Sequence, residues 1–499
     1  MKQPVVVGLF AAFIACGWGG HAVSATSPGA RGRQRPTLSI AVRVGRPAPT
    51  PKFDPRSRNP ALAAPTVDPA LDNLRFADRF PGQDAGAQIA AAIADLPASG
   101  GVVDARGFSG AQAISTTVTI SKPLTLLLPA ASDAEFASTP DPAFDVHDAS
   151  GVRISGGNLT LSARNASAVT YTGTTSNLVI ENMVVSGSGA VQDSQKGFYC
   201  ASGQTLSDIR IVGNAISNVT LGISLNADLG GRIDGALVQR NHLSTIVGTA
   251  VGQGYGIHHA NGSGLPSMIW IVDNFIELAQ RHSIYQARGS GVVIARNLVV
   301  NHRQAVATGD ERPAISVLRS TAVTVKNNVI EGPWDGAIDV SSGDAGGSES
   351  GVTIANNVVR NWHGFPALAI GSQAPQLEGS PADIVVSANQ FTNDQSATGV
   401  SGIQGAALLV WNGKRLTVSD NDFGMLNCSV DIDLIAVEGL GEGAGTAEYT
   451  DQVRFLSNCC HSDGGPGSVT CGRVDAPASF AASQIDFTAN APAAGACPI

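Results

Sequence analysis

Arginines and histidines gather in one stretch of this 499-residue chain and form its clearest chemical signal. Residues 281–319 contain six arginines against two acids, Asp310 and Glu311. The arginines are Arg281, Arg288, Arg296, Arg303, Arg312 and Arg319. The nearby histidines are His258, His259, His282 and His302. A local excess of positive charge favours an anionic ligand, and imidazole can exchange protons near neutral pH. Arginines that merely face solvent on outer turns are the plainer alternative.

Short strands must position these side chains, and their alignment predicts which of them meet. The segments GISLN (222–226), GIHHA (256–260), SIYQA (283–287), AISVL (314–318), AIDVS (337–341) and ALAIG (367–371) align with an aliphatic residue at their second position. Because strand side chains alternate, the next residue should point outward, giving the column Ser224, His258, Tyr285, Ser316, Asp339 and Ala369. A second outward column, three residues on, would hold Asn261, Arg288, Arg319 and Ser342. His259 and Gln286 should face inward and pair.

The predicted neighbours suit one reaction in particular. Eliminating a uronate sugar requires neutralising its C6 carboxylate, removing the C5 proton and protonating the leaving O4. Arg288 and Arg319 would hold the carboxylate, while His258 and Tyr285 would divide the base and acid roles, the phenol pKa being lowered by the arginines. Substrate contacts are expected from His282, His302, Arg303, Asn261, Asp339 and Trp334. The leading hypothesis is a secreted lyase acting on an anionic polysaccharide.

Two other functions remain open at this stage. A glycoside hydrolase needs two carboxylates, for which Asp335 and Asp339 are the nearest candidates, with Trp334 stacking on a sugar. A non-catalytic carbohydrate-binding or adhesin solenoid would need only the arginines and aromatic rings. Calcium could bind through Asp310, Glu311, Asp335 or Asp339, but no dense group of acids requires a metal or another cofactor.

A recurring asparagine predicts the architecture that would align these strands. Ten β-branched runs end in asparagine, at intervals of 23 to 37 residues. They are Asn182, Asn214, Asn241, Asn274, Asn297, Asn328, Asn357, Asn389, Asn421 and Asn458. Short strands in an irregular repeat indicate a stacked solenoid, and a parallel β-helix is favoured over a sandwich or propeller. Each asparagine would adopt left-handed backbone geometry and bond to its counterpart one coil away.

The start of the repeat carries a family resemblance. From Asp84, Ile89, Ile93 and Leu96 have helical spacing that ends before Pro97 and Gly100, which predicts an amphipathic helix on the first coil. The segments GGVVDARG and TVTISKPLTLLLP follow. In this order they resemble right-handed parallel β-helix proteins of the pectate-lyase-like superfamily, across residues 84–460. The resemblance implies that fold, within a superfamily of lyases, hydrolases, epimerases, esterases and adhesins.

A second segment, RHSIYQARGSGVVIARN, looks like parts of β-helix lyases. The alginate and dermatan-type members use a lysine base, an arginine and calcium-binding acids. This arginine-rich segment has no lysine until Lys326, so the base here would be a different residue.

The chain ends and its charge set the compartment and partners. Residues 1–25 read as a signal peptide, with lipid attachment at Cys16 disfavoured, and residues 26–75 as a disordered linker. Residues 76–460 would form the β-helix and residues 461–499 a cysteine-containing cap. Residues 1–60 hold nine basic residues and one acid, which leaves 22 basic and 39 acidic residues beyond them, a net charge of −17. We expect a soluble, secreted or periplasmic monomer that binds no nucleic acid and no membrane.

Cysteines concentrate at the end of the solenoid. Excluding Cys16, the chain has six, namely Cys200, Cys428, Cys459, Cys460, Cys471 and Cys497. An even number in an exported chain favours disulfides, here among Cys459 to Cys497 with Cys428 as a further partner. A metal site is the less favoured alternative.

Overall fold

The coil of the solenoid is the unit from which the structure is built. A computed structural model describes residues 73–228, 230–248, 252–261, 266–302, 313–341, 350–371, 381–411, 413–438 and 451–463, with short pieces beyond. The described strands wind into a right-handed parallel β-solenoid. The structure confirms the all-β class, the right-handed parallel β-helix and the fold expected from the pectate-lyase-like resemblance. Among the described residues no helix is long and apolar enough to cross a membrane.

Each coil contributes strands to three faces, named here in chain order. Face one contains Val118–Ile120, Phe144–His147, Ser167–Thr172, Lys196–Tyr199, Leu221–Asn226, Tyr255–Ala260, Ile338–Ser341, Leu368–Ile370, Leu408–Val410, Ile435–Glu438 and Arg473–Asp475. Face two contains Leu74–Phe76, Gly101–Asp104, Leu124–Leu127, Val152–Ser155, Thr174–Glu181, Thr205–Val212, Arg232–Gln239, Pro266–Val272, Ser350–Ala355, Ala382–Ser387, Lys414–Ser419, Asp451–Leu456 and Ile485–Asp486. Two long strands, His282–Ala295 and Ile315–Lys326, bend from face one into face two.

Face three completes the coil. Its strands are Gly110–Ile114, Ala134–Ser138, Asn158–Leu161, Val184–Ser186, Ala215–Val219, His242–Ile246, Phe275–Ala279, Leu298–Val300, Val329–Glu331, Val358–Arg360, Gln390–Asp394, Asp422–Leu426, Cys459–Asp463 and Ala491–Pro492. A small pair, Ile432–Asp433 and Val469–Thr470, stands apart. The helices are Ala85–Asp95 and Gln395–Thr398, with short 3-10 turns at Ala77–Arg79, Val191–Asp193 and Gly402–Gly405.

The predicted asparagine ladder runs between faces two and three from Asn214 to Asn458. From Asn214 to Asn421, each side-chain amide donates to the Oδ1 of the asparagine one coil later, at 2.9–3.0 Å. That Oδ1 also accepts the backbone N–H of the earlier asparagine at 2.9–3.1 Å. The amide donates a second time to a backbone carbonyl one coil earlier. These buried amides are therefore fully satisfied, as burial of polar groups requires.

Two details of the predicted ladder are wrong. The left-handed backbone belongs to the residue before each rung, such as Arg240 (φ 54°) or Ala388 (φ 53°), and not to the ladder asparagine. At the first of these coils the residue with the left-handed backbone is Asn182 itself (φ 56°). The next residue, Met183, therefore takes the ladder position and donates its N–H to Asn214 Oδ1 at 2.9 Å. The turning residues share no side-chain type, which explains why the sequence pattern did not reveal them.

The predicted helix at the first coil is confirmed. Asp84 caps Ala85–Asp95 by accepting the N–H of Ala87 at 2.8 Å, and Ile89 and Ile93 are buried against the coil. Gly100 ends the segment with φ +85°, where a Cβ would lie 1.7 Å from the carbonyl oxygen of Pro123. Only glycine fits this approach of two coils.

The cysteines that the structure describes correct one expectation. Cys428 is a free, buried thiol whose Sγ lies 2.9 Å from the Val430 carbonyl oxygen, so it is not a disulfide partner. Cys200 is also free, and burial raises its pKa to about 12. Disulfides within the terminal set remain a prediction. Residues 1–72 lie outside the described residues, as do Cys471 and Cys497.

Replacing one rung of the ladder should be costly. Asn328→Leu removes the acceptor of the backbone and side-chain N–H groups of Asn297 and one of the two hydrogen bonds to Asn357 Oδ1, so we expect the free energy of unfolding to fall by about 1–3 kcal/mol. Urea titration of the variant and the parent measures this difference. Asn158→Leu is the control, because that side chain is partly exposed on face three and makes only a 3.3 Å bond to the Ala131 carbonyl. Equal losses for the two variants would contradict the stabilising role of the ladder.

Candidate functional site

Pairing of the face-one strands places the predicted residues in one column. Ser224 pairs with His258, His258 with Tyr285, Tyr285 with Ser316, and Ser316 with Asp339. The inward positions beneath them carry the predicted aliphatic stack, in which Ile223, Ile257, Ile284, Ile315, Ile338 and Leu368 are at most 1% exposed. Both predicted sets are confirmed because the register is continuous. Successive members of the outward column lie about 4.8 Å apart, the spacing of hydrogen-bonded strands.

Four aromatic rings from two neighbouring coils form a rhombus-shaped array on this face. Tyr255 and His258 come from one coil, and His282 and Tyr285 from the next. Four neighbouring ring pairs have centroids 5.1–5.5 Å apart. Tyr255 also lies 5.3 Å from Tyr285 across the diagonal. The guanidinium carbon of Arg281 lies 5.4 Å from the Tyr255 ring centroid, a cation–π contact at one side of the array.

Burial determines the ionisation of the two central rings. It lowers the pKa of His258 to about 4, with a further contribution from His259. It raises the pKa of Tyr285 to about 12, and Tyr255 adds to that rise while Arg319 and Arg281 oppose it. The expectation of a phenol with a lowered pKa is therefore wrong, because desolvation outweighs the arginines. At neutral pH a neutral imidazole lies beside a protonated phenol.

The two predicted arginines occupy equivalent corners of adjacent coils. Arg288 and Arg319 each have φ 50°, at the bend where a long strand passes from face one to face two. Arg288 forms an ion pair with Asp228, in which Nη1 lies 2.5 Å from Oδ1. Both arginines are partly exposed, but it is Arg319 whose charge acts on Tyr285. The charge of Arg319 therefore lies within electrostatic reach of the ring array.

Several predicted contact residues lie elsewhere than expected. Asn261 faces inward, is fully buried, and bonds to the backbone of Ile233, so its predicted outward position is wrong. His302 is also fully buried, with Nδ1 3.3 Å from Ser283 Oγ, and cannot face a ligand directly. His282 belongs to the ring array and donates from Nδ1 to the Pro313 carbonyl at 2.8 Å.

The remaining predicted contacts lie at the margin of the array or beyond the described residues. Asp339 is partly exposed in the outward column and accepts a 2.8 Å bond from Ser341. Trp334 is 44% exposed and stacks on His363, with ring centroids 4.9 Å apart, so it presents a flat apolar surface near the column. Arg303 and Ser342 lie outside the described residues.

A buried polar row runs inside the coils, directly beneath the ring array. His259 Nδ1 lies 2.6 Å from Gln286 Oε1, and Gln286 Nε2 lies 3.2 Å from Ser320 Oγ. The predicted inward pairing of His259 and Gln286 is confirmed. Burial lowers the pKa of His259 to about 4. These uncharged groups link the same coils as the outward His258, Tyr285 and Arg319.

Sequence reasoning missed part of this face. Lys196 and Tyr199 lie on the same face, and Lys196 Nζ is 4.9 Å from the Tyr199 ring centroid. Lys196 pairs with Leu221, which pairs with Tyr255, so a lysine lies two coils before the array. The sequence signal for this coil is the glycine that recurs at the second position of KGFY, LGIS and YGIH. The predicted column began with the LGIS coil and therefore left out the KGFY coil.

Two of the four acids that could bind calcium, Asp335 and Asp339, lie among the described residues. Asp310 and Glu311 lie outside them, and Asp335 is 8% exposed. Among the described residues one set of three close potential ligands occurs, Asp422, Cys459 and His461, and it lies on face three. Calcium is bound by oxygen atoms, so a set containing sulfur and imidazole does not suit it.

Comparisons with solved structures give distant likenesses only. The A-module of the mannuronan C-5 epimerase of Azotobacter vinelandii is 12% identical, covering 81% of this chain and 100% of that one with a TM-score of 0.39. A family 28 exopolygalacturonase of Yersinia enterocolitica is 14% identical over 81% and 78%, with a TM-score of 0.44. The tailspike of E. coli bacteriophage HK620 is 15% identical over 68% and 60%, with a TM-score of 0.48. The sequence matches no family model and no curated protein.

The lowered pKa of His258 should appear in the pH dependence of stability. From pH 6.5 down to about 4 the unfolded chain binds a proton at this residue and the folded chain does not, so stability falls over that range. His258→Phe keeps a ring in the array but has no proton to bind. Below pH 6.5 we expect the midpoint temperature of unfolding to fall less steeply on acidification in this variant than in the parent. Above pH 6.5 the two proteins should show the same dependence on pH. Parallel slopes below pH 6.5 would show that His258 titrates alike in both states.

Proposed function

We propose that face one binds an anionic polysaccharide and that the ring array eliminates across a uronate residue. The observation that carries this proposal is the pairing of neutral His258 with protonated Tyr285 on adjacent coils, with ring centroids 5.3 Å apart, under the charge of Arg319. Elimination needs a base without a proton, an acid with one, and a cation. These three side chains supply one of each at neutral pH.

The carboxylate is the first requirement. A guanidinium bonded to the C6 carboxylate stabilises the negative charge that develops when the C5 proton leaves. Arg319 suits this role, because its charge acts on the Tyr285 phenol. Lys196 extends the positive charge along the face toward the first coils, which suits a ligand carrying repeated negative charges.

The proton transfers are the second requirement. His258 takes the C5 proton through its unprotonated nitrogen, and the electron pair of that C–H bond forms the C4–C5 double bond. The C4–O4 bond breaks, and Tyr285 gives its proton to the departing oxygen. With a pKa of about 12, Tyr285 retains that proton across the physiological range. The two rings lie on neighbouring coils, close enough to serve adjacent atoms of one sugar.

A non-catalytic binding role is the second candidate. It is favoured by the way the four rings pack on one another, because such packing also builds a rigid platform for a sugar chain. Absorbance of the unsaturated product, followed across a panel of uronate polysaccharides, separates the two functions. Product formation supports elimination, while binding without product leaves only the platform. New reducing ends without the unsaturated chromophore would indicate hydrolysis.

Arg319→Ala should lower turnover by about two to three orders of magnitude, the range for loss of an electrostatic stabiliser. Arg415→Ala is a matched control, since Arg415 also has left-handed backbone geometry (φ 54°). It lies several coils away, where it forms an exposed ion pair with Asp383. Its turnover should equal that of the parent. Initial rates on a responsive polymer measure both variants. A parent-like rate for Arg319→Ala would remove this residue from the mechanism.

Tyr285→Phe removes only the proposed acid and retains the ring. We expect turnover to fall by about 10²–10⁴, while the dissociation constant for an oligosaccharide stays close to that of the parent. Steady-state kinetics and calorimetric titration give the two quantities separately. If affinity falls and turnover of bound substrate does not, the hydroxyl binds substrate and the acid is another group.

A further inference from the structure

The outward column of face one changes character sharply after Asp339. Up to that point it holds polar residues, which are in order Thr119, Asp145, Thr170, Tyr199, Ser224, His258, Tyr285, Ser316 and Asp339. Most of these are at least partly exposed. We call them the polar strip. Asp339 then pairs with Ala369, Ala369 with Leu409, and Leu409 with Ala436. These three apolar residues are at most 3% exposed.

An apolar wall covers the column where the polar strip ends. Phe365, Ile403 and Trp411 pack on the outward side of Ala369 and Leu409, as a cluster separate from the core inside the coils. The rings of Phe365 and Trp411 have centroids 5.5 Å apart. Strands Leu368–Ile370 and Leu408–Val410 are consequently buried on both sides, whereas Ile338–Ser341 is buried on one.

The segment that carries Ile403 is fixed to the coils by hydrogen bonds. Trp362 Nε1 donates to the Gln404 carbonyl at 3.1 Å, and Gln395 Oε1 accepts from Ser429 Oγ at 2.8 Å. Asp394 caps the short helix Gln395–Thr398 that leads into this segment. The wall is therefore a packed part of the fold, built from the connection between faces three and one.

The wall makes the two ends of the polar strip unequal. From Tyr285 to Ala369 there are three coil steps, about 14 Å at 4.8 Å per coil. In the other direction six steps lead from Tyr285 to Thr119, about 29 Å by the same spacing. Lys196 and Tyr199 lie on this longer side, and Arg319 lies close to Tyr285. A chain lying along the strip has room to continue toward the first coils only.

We infer that the polar strip accepts one end of an anionic polysaccharide, with that end against the wall beyond Asp339, so that the protein acts on chain ends. The inference rests on the proposed function for the identity of the ligand. If elimination occurs at the ring array, the part of the chain between Tyr285 and the wall leaves as a short product. The remainder of the polymer stays on the side of Lys196 and can advance by the same length.

Binding stoichiometry tests this without requiring turnover. The probes are uronate oligosaccharides of increasing length that bind the parent protein, titrated in a calorimeter with Tyr285→Phe to prevent conversion. If the strip is closed at one end, each oligosaccharide should bind one protein molecule, whatever its length. If the strip is open at both ends, longer oligosaccharides should each bind more protein molecules. A ratio that rises with length overturns the inference.

Product analysis of the parent protein gives the second measurement. Action on chain ends should yield one small product size from the first minutes while the viscosity of the polymer falls slowly. Phe365→Ala combined with Ile403→Ala trims the wall, and we expect longer products and a stoichiometry above one on long chains. Phe391→Ala is the control, because it removes a phenylalanine from the core inside the solenoid and should leave product size unchanged.

The outcomes separate this inference from the proposed function. If one protein molecule binds per oligosaccharide and the parent protein forms no product, the closed strip is supported and elimination is contradicted. A broad range of product sizes from the start supports elimination and overturns the closed strip. Absence of binding to every uronate oligosaccharide contradicts the proposed ligand and the inference with it. Should the wall variant fail to fold, stoichiometry and product size of the parent still decide.

Discussion

The asparagine ladder fixes the register between coils, and every other feature of this molecule depends on that register. A buried amide must place both of its hydrogens and its oxygen against partners, and here each partner lies in a neighbouring coil. A shift of one residue in any strand would exchange its inward and outward side chains. Nine successive rungs, from Asn214 to Asn458, oppose such a shift. Outward residues on face one can therefore form continuous columns although the repeats differ in length by up to 14 residues.

The chemistry of the site depends on a balance between burial and charge. Arg281 and Arg319 favour an ionised phenol at Tyr285, but loss of solvent has the larger effect and keeps the proton in place. The same loss of solvent removes the proton from His258. Packing of the rings thus keeps His258 neutral and Tyr285 protonated over a wider pH range than for the free side chains. Arg319 lies outside the array and is partly exposed.

The same face serves two different purposes along its length. Near the ring array its outward residues are polar and partly exposed, and beyond Asp339 they are small, apolar and covered. The strand geometry of the two parts is alike, so the difference comes from the connections between faces. Beyond Asp339 the segment around Ile403 folds back onto the strands. In a solenoid the coils set the distance between neighbouring side chains, and the connections between faces determine which parts of the surface are covered.

The sequence by itself determined the fold and the identity of one column. Alternation in the strands and the repeated asparagine were sufficient, because both patterns reflect a periodic environment that each coil repeats. The pairing of His258 with Tyr285, and of His259 with Gln286 beneath them, followed from the same alignment. Tertiary structure decided the rest. The ion pair of Arg288 joins residues 60 positions apart, the burial of Asn261 and His302 depends on bends between faces, and the pKa values depend on enclosure by several coils. None of these has a local signature, because each arises from atoms that only the wound chain brings together.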